Sequence, residues 1–327
     1  MKMIKKPMIL TSGDPAGVGP EVAVKVFAKF AKEEFPFVIA GTASVLQEAI
    51  ELYAQSYTLE KYQGQSWEAG VLYYDDFNLN FDADWEKCKA SAKCGQLSYD
   101  LIVSATKAVI AGQYSAIVTA PVNKESVNLA GIAFTGHTEL IAELCECPKF
   151  NMMQSADNMR FVFATCHIAL KDVPKQLTVD KILQAGRLMY QSCITEGLEK
   201  PKLSAAGLNP HAGENGYMGR EEIETVIPAL EILRSEGIDI EGPFPPDTLF
   251  VPAIRARFDG FLCMYHDQGH IPFKMLAFDR GVNSTLGLPI IRTSVDHGTA
   301  FDIAWQDKVD LGSLENALKL AWKRTGH

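Results

Sequence analysis

The sequence lacks the features typical of membrane-spanning, secreted and nucleic-acid-binding proteins. No apolar run approaches the roughly 18 residues that a membrane-spanning helix needs. The basic stretch at residues 1–6 leads into Pro7 rather than into the long apolar segment of a signal peptide. The net charge of −9 argues against a general electrostatic attraction to nucleic acid or anionic membranes, but it allows a local basic pocket for a small anion. We therefore expect a cytoplasmic protein that stays in solution.

Cysteine pairs and repeats are also scarce. The seven cysteines are odd in number and scattered over 327 residues, which favours reduced thiols over a disulfide framework. Cys145 and Cys147 form a C-x-C pair, but no second pair lies nearby, so a structural role is favoured over metal binding. Internal repeats and low-complexity linkers are absent. With 47% hydrophobic and 22% charged residues, the chain is predicted to be globular and to form two domains.

Short apolar runs alternate with amphipathic stretches along the chain. The apolar runs predict buried strands at residues 8–11, 37–40, 71–74, 116–119, 161–165, 203–206 and 261–265. Apolar residues spaced i, i+3, i+4 predict helices at residues 21–32, 99–111, 179–197 and 221–237. This alternation predicts an α/β layered fold with a largely parallel sheet. Residues 273–295, rich in strand formers and glycine, predict a β segment with long loops.

The G-x-G-x-x-G fingerprint of dinucleotide-binding domains and the Walker A loop are both missing. Between the first predicted strand and helix, Thr11–Glu21 has the sequence Thr-Ser-Gly-Asp-Pro-Ala-Gly-Val-Gly-Pro-Glu. Gly13, Gly17 and Gly19 permit tight turns, and backbone amides at a helix start can hold an anion. A packed turn and a ligand-binding loop both fit this motif.

A second motif follows the predicted strand that ends at Thr119. Residues 119–124 (Thr-Ala-Pro-Val-Asn-Lys) precede residues 134–139 (Phe-Thr-Gly-His-Thr-Glu), and loops at the carboxyl ends of parallel strands bind ligands in open α/β proteins. His137 and Thr138, close to a helix start, are candidate donors to a phosphate or carboxylate. Capping of that helix is the alternative role for Thr138. Lys124 is compatible with a ligand contact or a solvated charge.

Three histidines lie at or just beyond the ends of predicted strands, namely His167, His211 and His266. A single histidine in such a place is more often a hydrogen-bonded structural residue. Three at one sheet edge favour a zinc or related divalent site with coordination positions open to substrate. Asp267 and His270 then become candidate supports for the ligands or walls of the pocket.

A basic and polar cluster follows, with Lys274, Arg280, Asn283 and Arg292 in one region and Asp247 ahead of it. Guanidinium and ammonium groups that converge on a cleft neutralise phosphate and carboxylate, and asparagine adds directional hydrogen bonds. Scattered surface charge is the alternative, and it is favoured for Arg280.

Eight motifs, in order from Gly13 to Ala304, together resemble the 4-hydroxythreonine-4-phosphate dehydrogenase family of pyridoxal phosphate biosynthesis. They are GDPAGVGPE, APVNK, TGHTE, the segment around His167, GLNPHAGE, GPFPPDT, YHDQGHIPFK and HGTAFDIA. The resemblance implies that His167, His211 and His266 bind one divalent ion, which is zinc, magnesium or cobalt. It implies that the substrate is bound by His137, Thr138, Lys274, Asn283 and Arg292.

The motif at residues 296–304 combines a glycine turn with polar side chains, which suits a bound nucleotide or a capped turn. It resembles the adenosine-binding loop of isocitrate and isopropylmalate dehydrogenases. His297, Gly298, Thr299 and Asp302 are therefore candidates to bind NAD or NADP, and the missing dinucleotide fingerprint is explained.

The resemblance also implies the architecture of those dehydrogenases, with two α/β/α domains. Residues 1–128 and 300–327 are expected to form the first domain, and residues 129–299 the second, which carries the interface of a homodimer. The active site is expected in the cleft between the domains, shared between the two subunits.

The implied reaction transfers hydride from C3 of 4-phosphooxy-L-threonine to NAD or NADP and then releases CO2, leaving 3-amino-2-oxopropyl phosphate. Asp247, Lys274 and a metal-bound water are the candidate proton acceptors. One alternative is the same chemistry on 4-phosphorylated threonate or erythronate, with a hydroxyl in place of the amine. A phosphate acyltransferase of the same fold is a further alternative, but it would not need the three histidines.

Overall fold

The computed structural model describes residues 6–30, 36–81 and 84–326. Its strands are β1 (Met8–Thr11), β2 (Phe37–Ala40), β3 (Thr58–Lys61), β4 (Val71–Asp75), β5 (Ile117–Thr119), β6 (Asn151–Ala156), β7 (Met159–Phe163), β8 (Leu203–Ala206), β9 (Ile240–Phe244), β10 (Gly260–Cys263), β11 (Val282–Leu286) and β12 (Arg292–Val295). Its α-helices are α1 (Gly19–Phe30), α2 (Ala43–Tyr53), α3 (Ala92–Ile110), α4 (Lys124–Leu129), α5 (His137–Leu144), α6 (Val173–Gln176), α7 (Val179–Thr195), α8 (Ile227–Ser235), α9 (Pro246–Leu249), α10 (Pro252–Arg255), α11 (His266–Ala277) and α12 (Gly312–Arg324). Within these ranges no helix combines the length and the apolar character that crossing a bilayer demands.

The chain forms two compact units. Unit 1 comprises Met1–Pro148 and Leu288–His327, and unit 2 comprises Lys149–Gly287. The sequence placed the boundaries at residues 128 and 300, so that 129–148 and 288–299 were expected in the second domain. Both segments belong to unit 1, because α5 packs into its core and β12 pairs with β5.

Unit 1 contains a fully parallel sheet in the strand order β3, β4, β2, β1, β5, β12. Strands β1, β2 and β5 are buried along their whole length, as continuous apolar runs covered on both faces should be. The loops after β1, β5 and β12 leave the same edge of this sheet. That edge carries the motifs that begin at Thr11, Thr119 and Asp296.

Unit 2 contains a mixed sheet in the order β11, β6, β7, β10, β8, β9, in which β6 runs antiparallel to β11 and β7. Alternate residues of its strands enter two cores. Val162 and Leu262 pack with α7 and α8, whereas Phe161 and Phe261 pack with Phe273 of α11. The predicted α/β class with layered, mostly parallel sheets is confirmed.

One predicted element is wrong in part. Residues 273–295 were expected to form strands and loops, but α11 continues to Ala277 before β11 and β12. The helix was not predicted because Gly269 and Pro272, which lie within it, have low helix propensity. Gly269 serves close packing, since a Cβ there would lie 2.7 Å from Cys263 Sγ and from Phe163 Cε1. Residues 31 and 32, at the end of the predicted first helix, lie outside the described residues.

Candidate functional site

In unit 1, the loop after β1 packs directly on the loop after β5. Gly13 has a φ of +74°, and a Cβ there would lie 2.3 Å from the carbonyl oxygen of Pro121. The Asp14 amide donates to that same oxygen at 3.0 Å, and Asp14 Oδ1 accepts from the Ala16 amide at 2.9 Å. Packing thus explains Gly13 in this motif without a ligand.

Arg292, the first residue of β12, lies opposite Ile117 at the start of β5, and its side chain extends towards Thr119 at the end of that strand and Thr138 at the start of α5. Its side chain is buried and donates to Thr119 Oγ1 at 3.0 Å and to Thr138 Oγ1 at 3.3 Å. Burial lowers the pKa of the guanidinium to about 10, and the neighbouring Glu139 carboxylate opposes that shift. Arg292 is therefore still a cation at neutral pH, and this charge lies among hydroxyl groups.

His137, at the start of α5, belongs to the same group. Burial lowers the pKa of its imidazole to about 3, and the positive charges of Arg292 and Lys124 add to the shift. Nε2 is buried and has no hydrogen-bond partner within the described ranges. A neutral imidazole in a positive field, with one nitrogen unused, is suited to contact an oxyanion. We call Arg292, Thr138 and His137 the anion group of unit 1.

The low pKa of His137 predicts how the protein responds to acid. Between pH 6.5 and pH 3 the unfolded chain binds a proton at this residue and the folded chain does not, so the stability it contributes falls as the pH is lowered through that range. In an NMR titration the His137 ring should show no protonation between pH 8 and pH 5. Replacing it with asparagine should weaken the loss of stability between pH 7 and pH 5, measured by chemical denaturation. A ring that titrates near pH 6.5 would contradict this.

In unit 2, the three predicted metal ligands follow the neighbouring parallel strands β7, β10 and β8. His167 and His211 both have left-handed backbone, with φ of +43° and +53°. Non-glycine residues seldom adopt this conformation, and those that do cluster at functional sites. The ring centroids of His167 and His266 lie 5.5 Å apart.

His266 is held on two sides. Its Nδ1 lies 2.6 Å from Asp267 Oδ1, and its ring stacks on His270 at 3.8 Å between centroids. A carboxylate on Nδ1 leaves Nε2 to face a ligand, as in many metal-binding histidines. Two imidazoles that share a tetrahedral ion have centroids about 5 Å apart, which fits the separation from His167.

Along the described part of the chain, no three histidine, cysteine or acidic side chains are grouped closely enough to hold an ion. His211 is thus not placed together with the pair formed by His167 and His266. The three-ligand site remains a prediction. It is supported by the chemistry of the three imidazoles and by the short distance between the rings of His167 and His266.

The other candidates of unit 2 have different surroundings. Asn283 of β11 donates to Met152 Sδ at 3.4 Å, and its Oδ1 is buried without a hydrogen-bond partner among the described residues. Lys274 of α11 is half-buried, with Nζ 5.6 Å from the centre of the Phe278 ring. Asp247 is exposed in the first turn of α9. Asn283 therefore has a buried polar atom that a ligand can contact.

The four cofactor candidates share the loop after β12 in unit 1. Thr299 is buried, and its carbonyl oxygen accepts a hydrogen bond from the Val18 amide at 3.0 Å. A Cβ on Gly17 would lie 2.9 Å from this carbonyl oxygen. His297 Nε2 is buried without a hydrogen-bond partner in the described ranges, whereas Gly298 and Asp302 are exposed. Thr299 therefore holds two loops together. The unused nitrogen of His297 and the exposed residues can contact a nucleotide.

Sequence reasoning did not identify Thr119 as a partner of Arg292. The contact depends on the pairing of β5 with β12, in which residues 117 and 292 are opposite each other. The register between two strands so far apart in the sequence cannot be predicted from the sequence alone. Arg280, expected at the surface, forms ion pairs with Asp157 and Asp279.

Comparison with known proteins identifies the family. The sequence model described as "Pyridoxal phosphate biosynthetic protein PdxA" matches residues 32–321. A 4-hydroxythreonine-4-phosphate dehydrogenase from Desulforapulum autotrophicum is 41% identical, covering 97% of this chain and 95% of that protein. A D-threonate 4-phosphate dehydrogenase from Salmonella typhimurium is 38% identical, covering 98% of this chain and 99% of that protein.

Solved structures agree with this result. The crystal structure of 4-hydroxythreonine-4-phosphate dehydrogenase from Klebsiella pneumoniae matches with a TM-score of 0.87 and 37% identity, over 98% of this chain and 100% of that one. A β-decarboxylating dehydrogenase from Thermococcus kodakarensis, with a TM-score of 0.53 and 12% identity over 96% of this chain and 82% of that one, shares the fold alone. The predicted resemblance is confirmed. The chain is an oxidoreductase that belongs to the PdxA family of pyridoxal phosphate biosynthetic proteins.

Proposed function

We propose that the protein oxidises 4-phosphooxy-L-threonine at C3 with NAD or NADP and a divalent ion, and that decarboxylation then gives 3-amino-2-oxopropyl phosphate. The observation that carries the proposal is the anion group, in which a buried arginine cation lies among hydroxyls beside a neutral histidine. Such a group suits a doubly anionic substrate. Membership of a family of pyridoxal phosphate biosynthetic proteins supports it.

The protein's own groups bind and orient the substrate. Arg292 offers a planar, charged set of donors to a phosphate or carboxylate, and Thr138 and His137 add hydrogen bonds. In unit 2, Asn283 offers its buried amide, and Lys274 adds a positive charge. Fixing both anionic ends of the substrate leaves C3 little freedom, which is a large part of the catalysis expected here.

His167, His211 and His266 would hold the ion, which would supply Lewis-acid chemistry for the oxidation of the alcohol. His297, Gly298, Thr299 and Asp302 are assigned to the nucleotide cofactor, which accepts the hydride. Asp267 orients His266 through Nδ1. Lys274 and Asp247 are the protein groups assigned to proton transfer, and variants of each in turn will distinguish them.

A second substrate is supported by the relatives. One relative, a 4-hydroxythreonine-4-phosphate dehydrogenase, is 41% identical to this chain, and another, a D-threonate 4-phosphate dehydrogenase, is 38% identical. The two sequence identities are so similar that they do not favour one substrate over the other. The test is NAD and NADP reduction with 4-phosphooxy-L-threonine, D-threonate 4-phosphate and D-erythronate 4-phosphate, with and without a chelator. Fastest turnover of the threonine derivative, lost with the chelator and restored by zinc, magnesium or cobalt, is expected. Equal rates after chelation would remove the metal from the proposal.

We also propose a homodimer. On α11 and just beyond it, Ile271, Met275 and Phe278 expose 59%, 82% and 76% of their surface. Three large apolar side chains so close together on one helix indicate an interaction surface rather than scattered exposure. A second copy of this chain is the proposed partner, and sedimentation at micromolar concentration should show a dimer.

Arg292 gives a direct test of the anion group. Replacing it with lysine keeps the charge but removes the planar pair of donors, so catalytic efficiency should fall about 10 to 100-fold. The NAD dissociation constant should change little, because the proposed cofactor loop is separate. A thermal melt checks that the variant still folds, since Arg292 is buried. Arg280→Lys, at a surface ion pair, is the matched control and should behave like the wild type. Unchanged efficiency in Arg292→Lys would remove this residue from the site.

A further inference from the structure

The loop that carries His211 has an unusual backbone. Residues 211–216 all have positive φ, between +43° and +94°, so that six consecutive residues adopt left-handed conformations. Only Gly213 and Gly216 are glycines. Every other residue in the run is conformationally strained, and such strain persists only where surrounding contacts compensate for it.

The compensating contacts converge on Glu222. Its side chain is buried, and Oε1 accepts from the backbone amides of Leu208 and Asn209, both at 2.7 Å. Oε2 accepts from the Asn209 side-chain amide at 2.9 Å. Three hydrogen bonds to a carboxylate are charge-assisted and therefore strong. They fix the two residues that lie just before Pro210 and His211.

The loop also passes directly over this carboxylate. A Cβ on Gly213 would lie 2.5 Å from Glu222 Oε2, and one on Gly207 would lie 3.1 Å from Oε1. Glu222 is moreover the first residue of a π-helical turn, Glu222–Val226, which precedes α8. Such turns are frequent at functional sites.

We infer that Glu222 is a positioning residue for His211, because its carboxylate fixes the two residues that precede the left-handed loop that carries this imidazole. The inference rests on the proposed role of His211 as a metal ligand. Glu222 itself contacts neither metal nor substrate in this assignment. Its effect is transmitted through the backbone of Leu208 and Asn209.

The test compares Glu222→Gln with Glu224→Gln, an exposed control in the same turn that pairs with Arg220. Hydrogen exchange at the Leu208 and Asn209 amides should be at least about tenfold faster in Glu222→Gln only. Cobalt affinity, measured by visible absorption of the ion, should fall about 10 to 100-fold in the same variant, as for other supports of metal ligands. The affinity for NAD should be unchanged.

Unchanged exchange at these two amides in Glu222→Gln would overturn the inference. The inference would also be overturned if Glu222→Gln showed faster exchange but unchanged cobalt affinity while His211→Ala abolished cobalt binding. If His211 is not a metal ligand, as a failure of the proposed function would imply, the His211→Ala variant should bind cobalt like the wild type. This outcome differs from the two that would overturn the role of Glu222. If Glu222→Gln does not fold, Asn209→Ala removes one of the three bonds and should give a smaller change in the same direction.

Discussion

Replacing His167, His211 or His266 with alanine is expected to lower kcat/KM by on the order of 10³-fold or more, the largest loss among the substitutions considered. A Lewis-acid contact with a reacting oxygen contributes several kcal/mol, and each 1.36 kcal/mol corresponds to about a tenfold change in rate. His167 and His211 are exposed, so their truncation leaves no cavity in a core. The thermal melts of the chelated His167→Ala and His211→Ala variants should therefore match that of the chelated wild type.

Metal content separates this result from a general loss of function. Each variant should retain less than one ion per chain after dialysis, whereas the wild type should retain close to one. Lys171→Ala provides a control, since this exposed residue follows His167 closely and has no assigned role. A variant with wild-type metal content and wild-type kcat/KM would remove that histidine from the ligand set.

The fold was predictable wherever both faces of a strand are buried. Residues 8–11, 37–40 and 203–206 were predicted to the residue, because continuous apolar runs leave no ambiguity about burial. Strand β3 was missed because three of the four residues in its Thr-Leu-Glu-Lys sequence are polar and the strand is partly exposed. Strand β9 was missed because it contains glycine and proline, which usually interrupt strands.

The candidate site was predictable to the level of strand ends, but not to the level of contacts. The sequence places three histidines after three strands, and the sheet makes those strands neighbours. Strand order and register come from long-range packing, so the pairing of Arg292 with Thr119 was not visible. Glu222 gave no signal either, because a Glu-Glu pair in a predicted amphipathic helix resembles solvated surface charge.

A mixture of two inactive variants is expected to recover activity. Lys274 lies on α11 beside the exposed Met275, and its Nζ faces the ring of the exposed Phe278. If this apolar surface forms the proposed dimer interface, Lys274 is positioned to reach the site of the partner subunit, while His167 serves its own chain. His167→Ala and Lys274→Ala, each inactive alone, then leave one intact site in every mixed dimer.

After complete subunit exchange of equal amounts, half of the dimers are mixed and each has one intact site, so about a quarter of the wild-type activity should return. This exceeds the residual activity of His167→Ala alone by on the order of 100-fold or more, given the loss expected for that variant. The matched control mixes His167→Ala with the double variant His167→Ala/Lys274→Ala, a combination in which no site can be intact. Mixed dimers, demonstrated by differently tagged chains, that remain inactive would show that His167 and Lys274 serve one site from the same chain. A fully active monomer in sedimentation would contradict the shared site itself.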